Sequence, residues 1–317
     1  MARGRSYRAR MPDASDVLWF KQQFQPRILP ALEGTPLSVD MIAAIACQET
    51  GPIWSLLRRK ALPVAQILAL CVGDTLDGNK GRSAFPRSKA ELLSRPRGDQ
   101  MFRIARQALL AMAAQVPGFG AAVALPDKFC HGFGIFQRDI QFFVSDPDYF
   151  LQRRYEDFDQ ALAQCVGELR LALRKLGLQG RASLSALELA AVGIAYNCGS
   201  FNQAKGLKQG YFDGSRYYGE LIYGYIQLAQ ATPWNAAPAP ASSIAPSTPL
   251  TVPSIAPSNA PSPAPSIATS VAPRPAVISP ISTSAPVAAA AAMPVPAAAS
   301  MPLASTLASP LASPSAG

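Results

Sequence analysis

The sequence has little of what a metal site or a disulfide framework requires. Its 317 residues include one histidine, and its five cysteines are far apart, with no Cys-x-x-Cys pair. Zinc sites use closely spaced cysteine and histidine ligands, so we expect no metal, and the composition points to no other cofactor. An odd number of cysteines, at least three of them on apolar helix faces, is typical of buried free thiols, although one disulfide is left open. The five are Cys47, Cys71, Cys130, Cys165 and Cys198.

Long hydrophobic runs are also missing. No segment reaches the roughly 18–20 uncharged apolar residues that a membrane-spanning helix needs. The arginine-rich N-terminus, MARGRSYRAR, is not followed by the apolar stretch of a secretory signal. We therefore expect no transmembrane segment, synthesis in the cytoplasm, and any export by a route that the sequence does not show. We also expect a monomer.

Charged and aromatic side chains disappear from the last part of the chain. From about Asn235 onward the sequence is almost entirely Pro, Ala, Ser, Thr, Val, Ile, Leu and Met, and Arg274 is its only charged residue. Such a segment cannot close a core and is typical of a mobile chain rich in polyproline II. We predict a basic flexible N-terminus over 1–11, one folded domain over 12–232, and a disordered tail over 233–317.

Helix signals dominate the predicted domain, and strand signals are scarce. Apolar residues recur at helical spacing, and Ser185 and Glu188 have the spacing of a capping box. We predict a mainly α fold, α+β at most, as a single helical domain with little or no sheet. The helices predicted outside the 42–54 stretch span 17–25, 55–62, 64–72, 100–115, 156–176, 185–198 and 215–231, and 121–128 is left as a strand or a buried connection.

One carboxylate stands where burial is expected, in the stretch IAAIACQETGPIW at 42–54. Glu49 follows Ile42 by two helical turns, so a helix places it on an apolar stripe. Ser38 is the predicted N-cap, and Gly51-Pro52 is the predicted stop. Burial raises the pKa of a carboxyl group, and a glutamic acid that keeps its proton near neutrality is what a general acid needs. The alternative is a glutamate at a frayed helix end, half in solvent.

Two further stretches carry polar side chains beside glycines. In FCHGFGIFQRD at 129–139, Gly132 and Gly134 allow the backbone to pass close to a ligand, with the amide of Gln137 beside it. A tight turn without a ligand explains the same glycines. In AYNCG at 195–199, Tyr196 and Asn197 occupy the last turn of a predicted helix.

Taken together and in order, these stretches resemble a known family. ETG at 49–51, GIFQ at 134–137 and AYNCG at 195–199 are similar to the Glu-Ser, Gly-Leu-Met-Gln and Ala-Tyr-Asn-Ala-Gly motifs of lytic transglycosylases and goose-type lysozymes, in the lysozyme-like superfamily. Tyr217, followed by Leu221-Ile222, matches a fourth element, a tyrosine on a late helix. The resemblance spans about residues 38–225.

The resemblance implies an activity and a set of residues for it. It implies a lysozyme-like α+β fold and cleavage of the β-1,4 bond between N-acetylmuramic acid and N-acetylglucosamine in peptidoglycan glycan strands, with Glu49 as catalytic acid/base. Gln137, Tyr196 and Asn197 would line the sugar groove, together with the glycine turn at Gly134. Tyr217 would support or contact Glu49.

The chain departs from the family in the length of one interval. The interval between Glu49 and Gln137 is long, so 55–125 is an insertion or a variant lobe.

The identity of a second catalytic carboxylate decides the product of the reaction. Asp127 lies, with a slip of one residue, near the place where goose-type lysozymes carry an aspartate, and is the candidate second catalytic carboxylate. Asp74 and Asp77 are fallback candidates in a loop. A second carboxylate that activates water gives hydrolysis; without one, the 6-hydroxyl of the sugar closes on the anomeric carbon and gives an anhydro product.

Two other functions fit parts of the sequence. A non-catalytic module that keeps the groove is favoured if the groove entrance is blocked. Nucleic-acid binding through the arginines at 3–10 and the Arg-Arg-Lys run at 58–60 rests on charge alone, and such runs are usually solvated faces, so we expect no nucleic-acid partner. Near the groove, His131 is expected to be a turn residue, and Trp54 a core anchor.

Overall fold

Helices make up most of the described chain, as the sequence predicts. The computed structural model describes residues 10–75 and 84–234. The tail predicted from 233 onward therefore lies almost wholly outside the described residues, as do residues 1–9 of the predicted N-terminal segment. In chain order the helices are α1 (Ala14–Ala31), α2 (Val39–Arg59), α3 (Val64–Leu70), α4 (Lys89–Leu93), α5 (Gly98–Gln115), α6 (Gly120–Ala124), α7 (Pro147–Leu151), α8 (Phe158–Lys175), α9 (Ala186–Cys198) and α10 (Tyr218–Gln230).

A small antiparallel sheet accompanies the helices. Its strands are β1 (Val72–Thr75), β2 (Cys130–Phe133) and β3 (Arg138–Asp139), in the order β1-β2-β3. In the central strand, Gly132 pairs with Gly73 on one side and with Asp139 on the other. The stretch FCHGFGIFQRD is therefore a β-hairpin whose turn is the GIFQ motif. The stretch 121–128, left open by the sequence, begins with the short helix α6.

Helix α2 is the centre of the core. Every residue from Met41 to Gly51 is buried, and α2 packs against α1, α3 and α10. A helix that is buried on all sides needs few polar side chains, which explains the run of alanine and isoleucine at 42–46. Ser38 caps it as predicted, because its Oγ accepts from the Met41 amide at 3.4 Å. Trp54 is a core anchor as predicted, with no exposed surface.

The predicted stop at Gly51-Pro52 is wrong, because α2 continues to Arg59. A proline inside a helix costs about 3 kcal/mol, but burial of a large apolar side chain contributes about 1.5–3 kcal/mol, and the extension buries Ile53, Trp54 and Leu57. Gly51 serves close packing instead, since a Cβ there would lie 2.4 Å from Pro12 Cγ. Glu49 therefore lies in the middle of a long helix.

The other predicted helices are present with shifted ends, and the short helices α4, α6 and α7 were not predicted. The helix predicted over 55–62 is the second half of α2, and α1 runs past Pro26, which was expected to end it, to Ala31. Helices α5, α8 and α9 lie where the periodicity places them, and the Ser185–Glu188 capping box is formed. All five cysteines are free thiols and four are buried, which confirms the prediction. No described helix is long and apolar enough to cross a membrane.

Two buried ionic clusters join α1 to the rest of the core. Asp16 has no exposed surface and accepts from Arg58 Nη1 at 2.6 Å and from Arg59 Nη1 at 2.8 Å. Lys21 Nζ lies 2.5 Å from the Asp40 carboxylate and donates to the carbonyls of Ala229 and Thr232 at the end of α10. The two arginines of the basic run at 58–60 are therefore engaged in internal ion pairs.

Replacing Lys21 by methionine is expected to lower the free energy of unfolding by about 3 kcal/mol, because it leaves a carboxylate and two carbonyls without their buried donor. Urea unfolding at pH 7 measures the loss. The control is Arg103→Gln, which removes a pair with Asp99 in which both side chains are 64% exposed, and it should change the value by less than about 0.5 kcal/mol. Equal effects of the two substitutions would contradict this account of the core.

Candidate functional site

Glu49 is buried and held by a tyrosine. Its residue is 1% exposed, and Tyr218 Oη donates a hydrogen bond to Glu49 Oε1 at 2.9 Å. Tyr218 has no exposed surface and is the first residue of α10. Burial, followed by the nearby Glu49 charge, holds the pKa of Tyr218 well above its usual range, so the phenol stays protonated and remains a donor to the carboxyl group.

The tyrosine at Glu49 is therefore Tyr218 and not Tyr217, which the family pattern suggested. Tyr217 is the N-cap residue of α10, with an extended backbone, and its amide donates to Glu220 Oε2 at 2.8 Å. Its ring packs on Phe212 instead, with 4.9 Å between ring centroids. Helical spacing could have shown this, since Tyr218, Leu221 and Ile222 are spaced i, i+3 and i+4 on the buried face.

Hydrogen bonds bring the three sequence motifs together. Thr50 Oγ1, next to Glu49, donates to the carbonyl of Ile135 in the GIFQ turn at 2.6 Å. Tyr196 Oη, from the end of α9, donates to the carbonyl of Phe136 in the same turn at 2.9 Å. Both bonds fix the backbone of the turn against helices α2 and α9, so the motifs meet in space although they are far apart in the chain.

Glycines in the hairpin make room for backbone and for Gln137. Gly134 has φ of 78°, and a Cβ there would lie 2.9 Å from the carbonyl oxygen of Tyr155. A Cβ on Gly132 would lie 2.1 Å from Gln137 Oε1. Gln137 is 5% exposed, and its Nε2 donates back to the Gly134 carbonyl at 3.1 Å. The glycines thus shape a tight turn that holds the Gln137 amide against it.

Asn197 lies in the last turn of α9 and is also buried. It is 2% exposed, and Cys198 Sγ lies 3.5 Å from its Oδ1. Its Oδ1 lies 3.3 Å from the place of a Cβ on Gly210, in the segment that leads to α10. The side chain of Asn197 therefore packs against the segment that leads from α9 to α10, near Tyr218.

A small pocket lies between the hairpin and helix α8. Its volume is about 40 Å³, enough for a few water molecules. Cys165 and Tyr196 line this pocket, and burial followed by neighbouring charges, Glu49 among them, raises the pKa of both. Glu49 itself is not among the residues that line the pocket. Its polar lining consists of Gln137, Arg138, Asp139, Gln164, Cys165, Glu168, Tyr149 and Tyr196.

Polar atoms that line this pocket lack protein partners. Gln137 Oε1 and Arg138 Nε are buried and have no hydrogen-bond partner among the described residues. Arg138 lies over the ring of Phe142, at 3.9 Å from its centroid, and Nη1 lies 3.4 Å from Glu168 Oε1. Buried polar groups are costly when nothing bonds to them, so this is a place where water or a ligand polar group would be stabilised.

The structure separates two candidates for a second carboxylate. The side chain of Asp127 is 72% exposed and lies 2.6 Å from Lys89 Nζ, and Asp127 is not among the residues that line the pocket. Asp139, which the sequence analysis did not single out, is 3% exposed and does line it. No spacing rule singled it out, because Gln137 lies in the turn with φ of 52° and Asp139 in the two-residue strand β3. Of the loop candidates, Asp77 lies outside the described residues, and Asp74 lies in β1.

His131 is a strand residue and not the turn residue that was expected. It lies in β2, is 7% exposed, and its Nδ1 is 3.5 Å from Asp139 Oδ2. The other carboxylate oxygen of Asp139 accepts from the Gln141 amide at 2.7 Å. The Gln141 amide thus orients the Asp139 carboxylate, and the imidazole of His131 lies next to it.

Comparison of the chain with protein-family models, curated proteins and solved structures found no match. The resemblance to lytic transglycosylases and goose-type lysozymes therefore rests on the four motifs and stays a prediction. Within residues 10–75 and 84–234, no group of three or more His, Cys, Asp or Glu side chains is placed to hold a metal ion.

Replacing Tyr218 by phenylalanine is expected to lower the free energy of unfolding by about 1–3 kcal/mol, because Glu49 Oε1 loses a buried donor. Tyr217→Phe is the matched control: it removes the same atom from the neighbouring, half-buried ring and should cost less than about 0.5 kcal/mol. Urea unfolding at pH 7 compares the two. A larger loss for Tyr217→Phe would contradict the assignment of Tyr218 as the partner of Glu49.

Proposed function

We propose that this protein cleaves the β-1,4 bond between N-acetylmuramic acid and N-acetylglucosamine in peptidoglycan, with Glu49 as general acid/base. The observation that carries the proposal is the Glu49 carboxyl group, 1% exposed and bonded to Tyr218, at the place where the three motifs meet. A buried carboxyl group is expensive, and a fold that needed only stability would favour an apolar residue at this position.

The proposed chemistry uses the proton of Glu49. A glycosidic oxygen leaves poorly unless it is protonated, so a carboxylic acid must deliver a proton to it as the bond breaks. The Tyr218 hydroxyl bonds Oε1 and so restricts the rotation of the carboxyl group. Gln137, Tyr196 and Asn197 are polar side chains of the motifs that these hydrogen bonds join. In the proposal they bind the hydroxyl and acetamido groups of the sugar.

Asp139 is the second carboxylate in this proposal. It lines the pocket together with Gln137 and Tyr196, and the pocket has room for a few water molecules. A carboxylate that removes a proton from such a water molecule makes it a nucleophile for the anomeric carbon, and the bond is then hydrolysed. The orientation of Asp139 by the Gln141 amide suits this role.

One observation favours a second function, a glycan-binding module without turnover. Glu49 is 1% exposed, so a glycosidic oxygen reaches it only after neighbouring side chains move. A protein that binds glycan strands at its surface and never admits the bond to Glu49 has this property, and it would bind peptidoglycan without releasing fragments.

The full chain is expected to release soluble fragments from purified peptidoglycan, and Glu49→Gln is expected to lower the rate by about 100-fold or more, because the proton donor is lost. Mass spectrometry of the soluble fraction measures both. Glu33→Gln, an exposed glutamate before α2, is the matched control and should leave the rate unchanged. Equal release by the wild type and Glu49→Gln contradicts the role of Glu49, and binding without release by the wild type supports the second function.

Asp139→Asn is expected to slow the release of fragments with reducing ends by about 100-fold, whereas Asp127→Asn should leave it unchanged, because Asp127 is exposed and paired with Lys89. The masses of the products distinguish reducing from anhydro ends. Anhydro products from the wild type, with no effect of Asp139→Asn, would show that water is not the nucleophile and would remove Asp139 from the mechanism. Circular dichroism melting confirms that each variant is folded.

A further inference from the structure

The segment 199–217, between α9 and α10, carries an exposed aromatic side chain. Phe212 is 47% exposed, more than any other aromatic residue in the part of the chain that the structure describes. Phe212 and Tyr217 form an isolated antiparallel bridge, and their rings are 4.9 Å apart at an angle of 43°. The two rings thus support each other at the surface.

The turn that presents these rings is held by its own hydrogen bonds. Asp213 Oδ1 accepts from the amides of Ser215 and Arg216, each at 2.8 Å, and the Asp213 amide donates to the Arg216 carbonyl at 3.0 Å. Preorganised aromatic side chains bind a ligand at low entropic cost. Phe212 and Tyr217 are therefore an ordered platform, and we name them the aromatic pair.

The aromatic pair is attached to the residues around Glu49. The Tyr218 amide donates to the Tyr211 carbonyl at 2.7 Å, and the Gly219 amide donates to the Gln209 carbonyl at 3.0 Å. Gly210 has φ of 82°, and a Cβ there would lie 2.6 Å from Tyr218 Cβ. Tyr218 bonds Glu49 in the core, while its neighbour Tyr217 packs on Phe212, so consecutive residues join the aromatic pair to the partner of the buried carboxyl group.

The same segment is cationic. Lys205, Lys208 and Arg216 are exposed, and Asp213 is the only acidic residue between 199 and 217. The amide of Lys208 donates to the carbonyl of Lys205 at 3.1 Å, so the two lysines lie in one turn. Exposed cations without a matching number of acids attract a ligand that carries negative charge.

We propose that the segment 199–217 binds a carboxylate-bearing sugar of a glycan strand, which rests on the proposed function and specifies its substrate. The aromatic pair packs against the apolar face of a pyranose ring, and the cations of Lys205, Lys208 and Arg216 lie around a carboxylate on the same strand. N-Acetylmuramic acid carries such a group, its lactyl carboxylate, which is free in strands without stem peptides. Chitin has the same β-1,4 backbone and no carboxylate.

The test measures binding of the full chain with Glu49→Gln, so that cleavage plays no part. The probes are peptidoglycan strands stripped of stem peptides and chitin oligosaccharides of matched length, both at low and at high salt. The full chain with Glu49→Gln and no other change is expected to bind the stripped strands about tenfold more tightly than chitin. High salt should reduce this preference. Phe212→Ala should weaken binding of both probes about tenfold, and Phe212→Tyr should restore it.

Charge variants separate the two parts of the proposal. Lys205→Gln with Lys208→Gln should remove the preference for stripped strands and leave chitin binding unchanged, whereas Lys205→Arg with Lys208→Arg should keep the preference. Leu187→Ala, at a 58% exposed residue of α9, controls for general loss of apolar surface. The proposal is overturned if Phe212→Ala binds like its parent, if chitin binds as tightly as stripped strands, or if an oligo-dT strand competes equally well. A wild type that keeps the preference but releases no fragments would leave this inference standing and remove the proposed cleavage.

Discussion

The hydrogen bond between Tyr218 and Glu49 is the contact around which the described domain is arranged. A carboxyl group in the buried middle of a helix costs several kcal/mol unless polar partners meet it. The fold supplies Tyr218 from the first turn of α10, and Thr50, next in the chain, ties the hairpin to the same point. The elements that carry the three motifs, α2, the hairpin and α9, thus meet around one polar group in an apolar core.

The rest of the core supports α2 from outside this site. The buried Asp16 holds Arg58 and Arg59 at the far end of α2, and Lys21 joins the start of α2 to the end of α10. Both clusters come from α1, so the first helix of the domain fixes the two helices that position Glu49 and Tyr218. Two of the three cations of the basic run at 58–60 are thus engaged in ion pairs with Asp16.

The sequence predicts those parts of the structure that have a local cause. Ser38 and Ser185 cap the helices that they were expected to cap, and apolar periodicity locates α5, α8 and α9. The extension of α2 past Pro52 was missed, because its cause is the tertiary burial of Ile53, Trp54 and Leu57. The small sheet agrees with the prediction of little or no sheet, but its strands were not located, because β1 pairs with a strand far along the chain. At the site, the burial of Glu49 was predicted from its spacing, and the spacing of Tyr218, Leu221 and Ile222 on α10 could have shown Tyr218, whereas Asp139 depends on the tertiary position of a two-residue strand.

Access to Glu49 is what separates an enzyme from a binding module, and hydrogen exchange tests it most directly. The full chain with Glu49→Gln is labelled with and without peptidoglycan strands stripped of stem peptides. We predict slower exchange of the backbone amides in the GIFQ turn at 134–137 and in the segment 199–217, with no change in α5. Protection of the segment 199–217 without protection of the GIFQ turn would contradict the claim that the strand reaches Glu49. Unchanged exchange in both segments would contradict it as well.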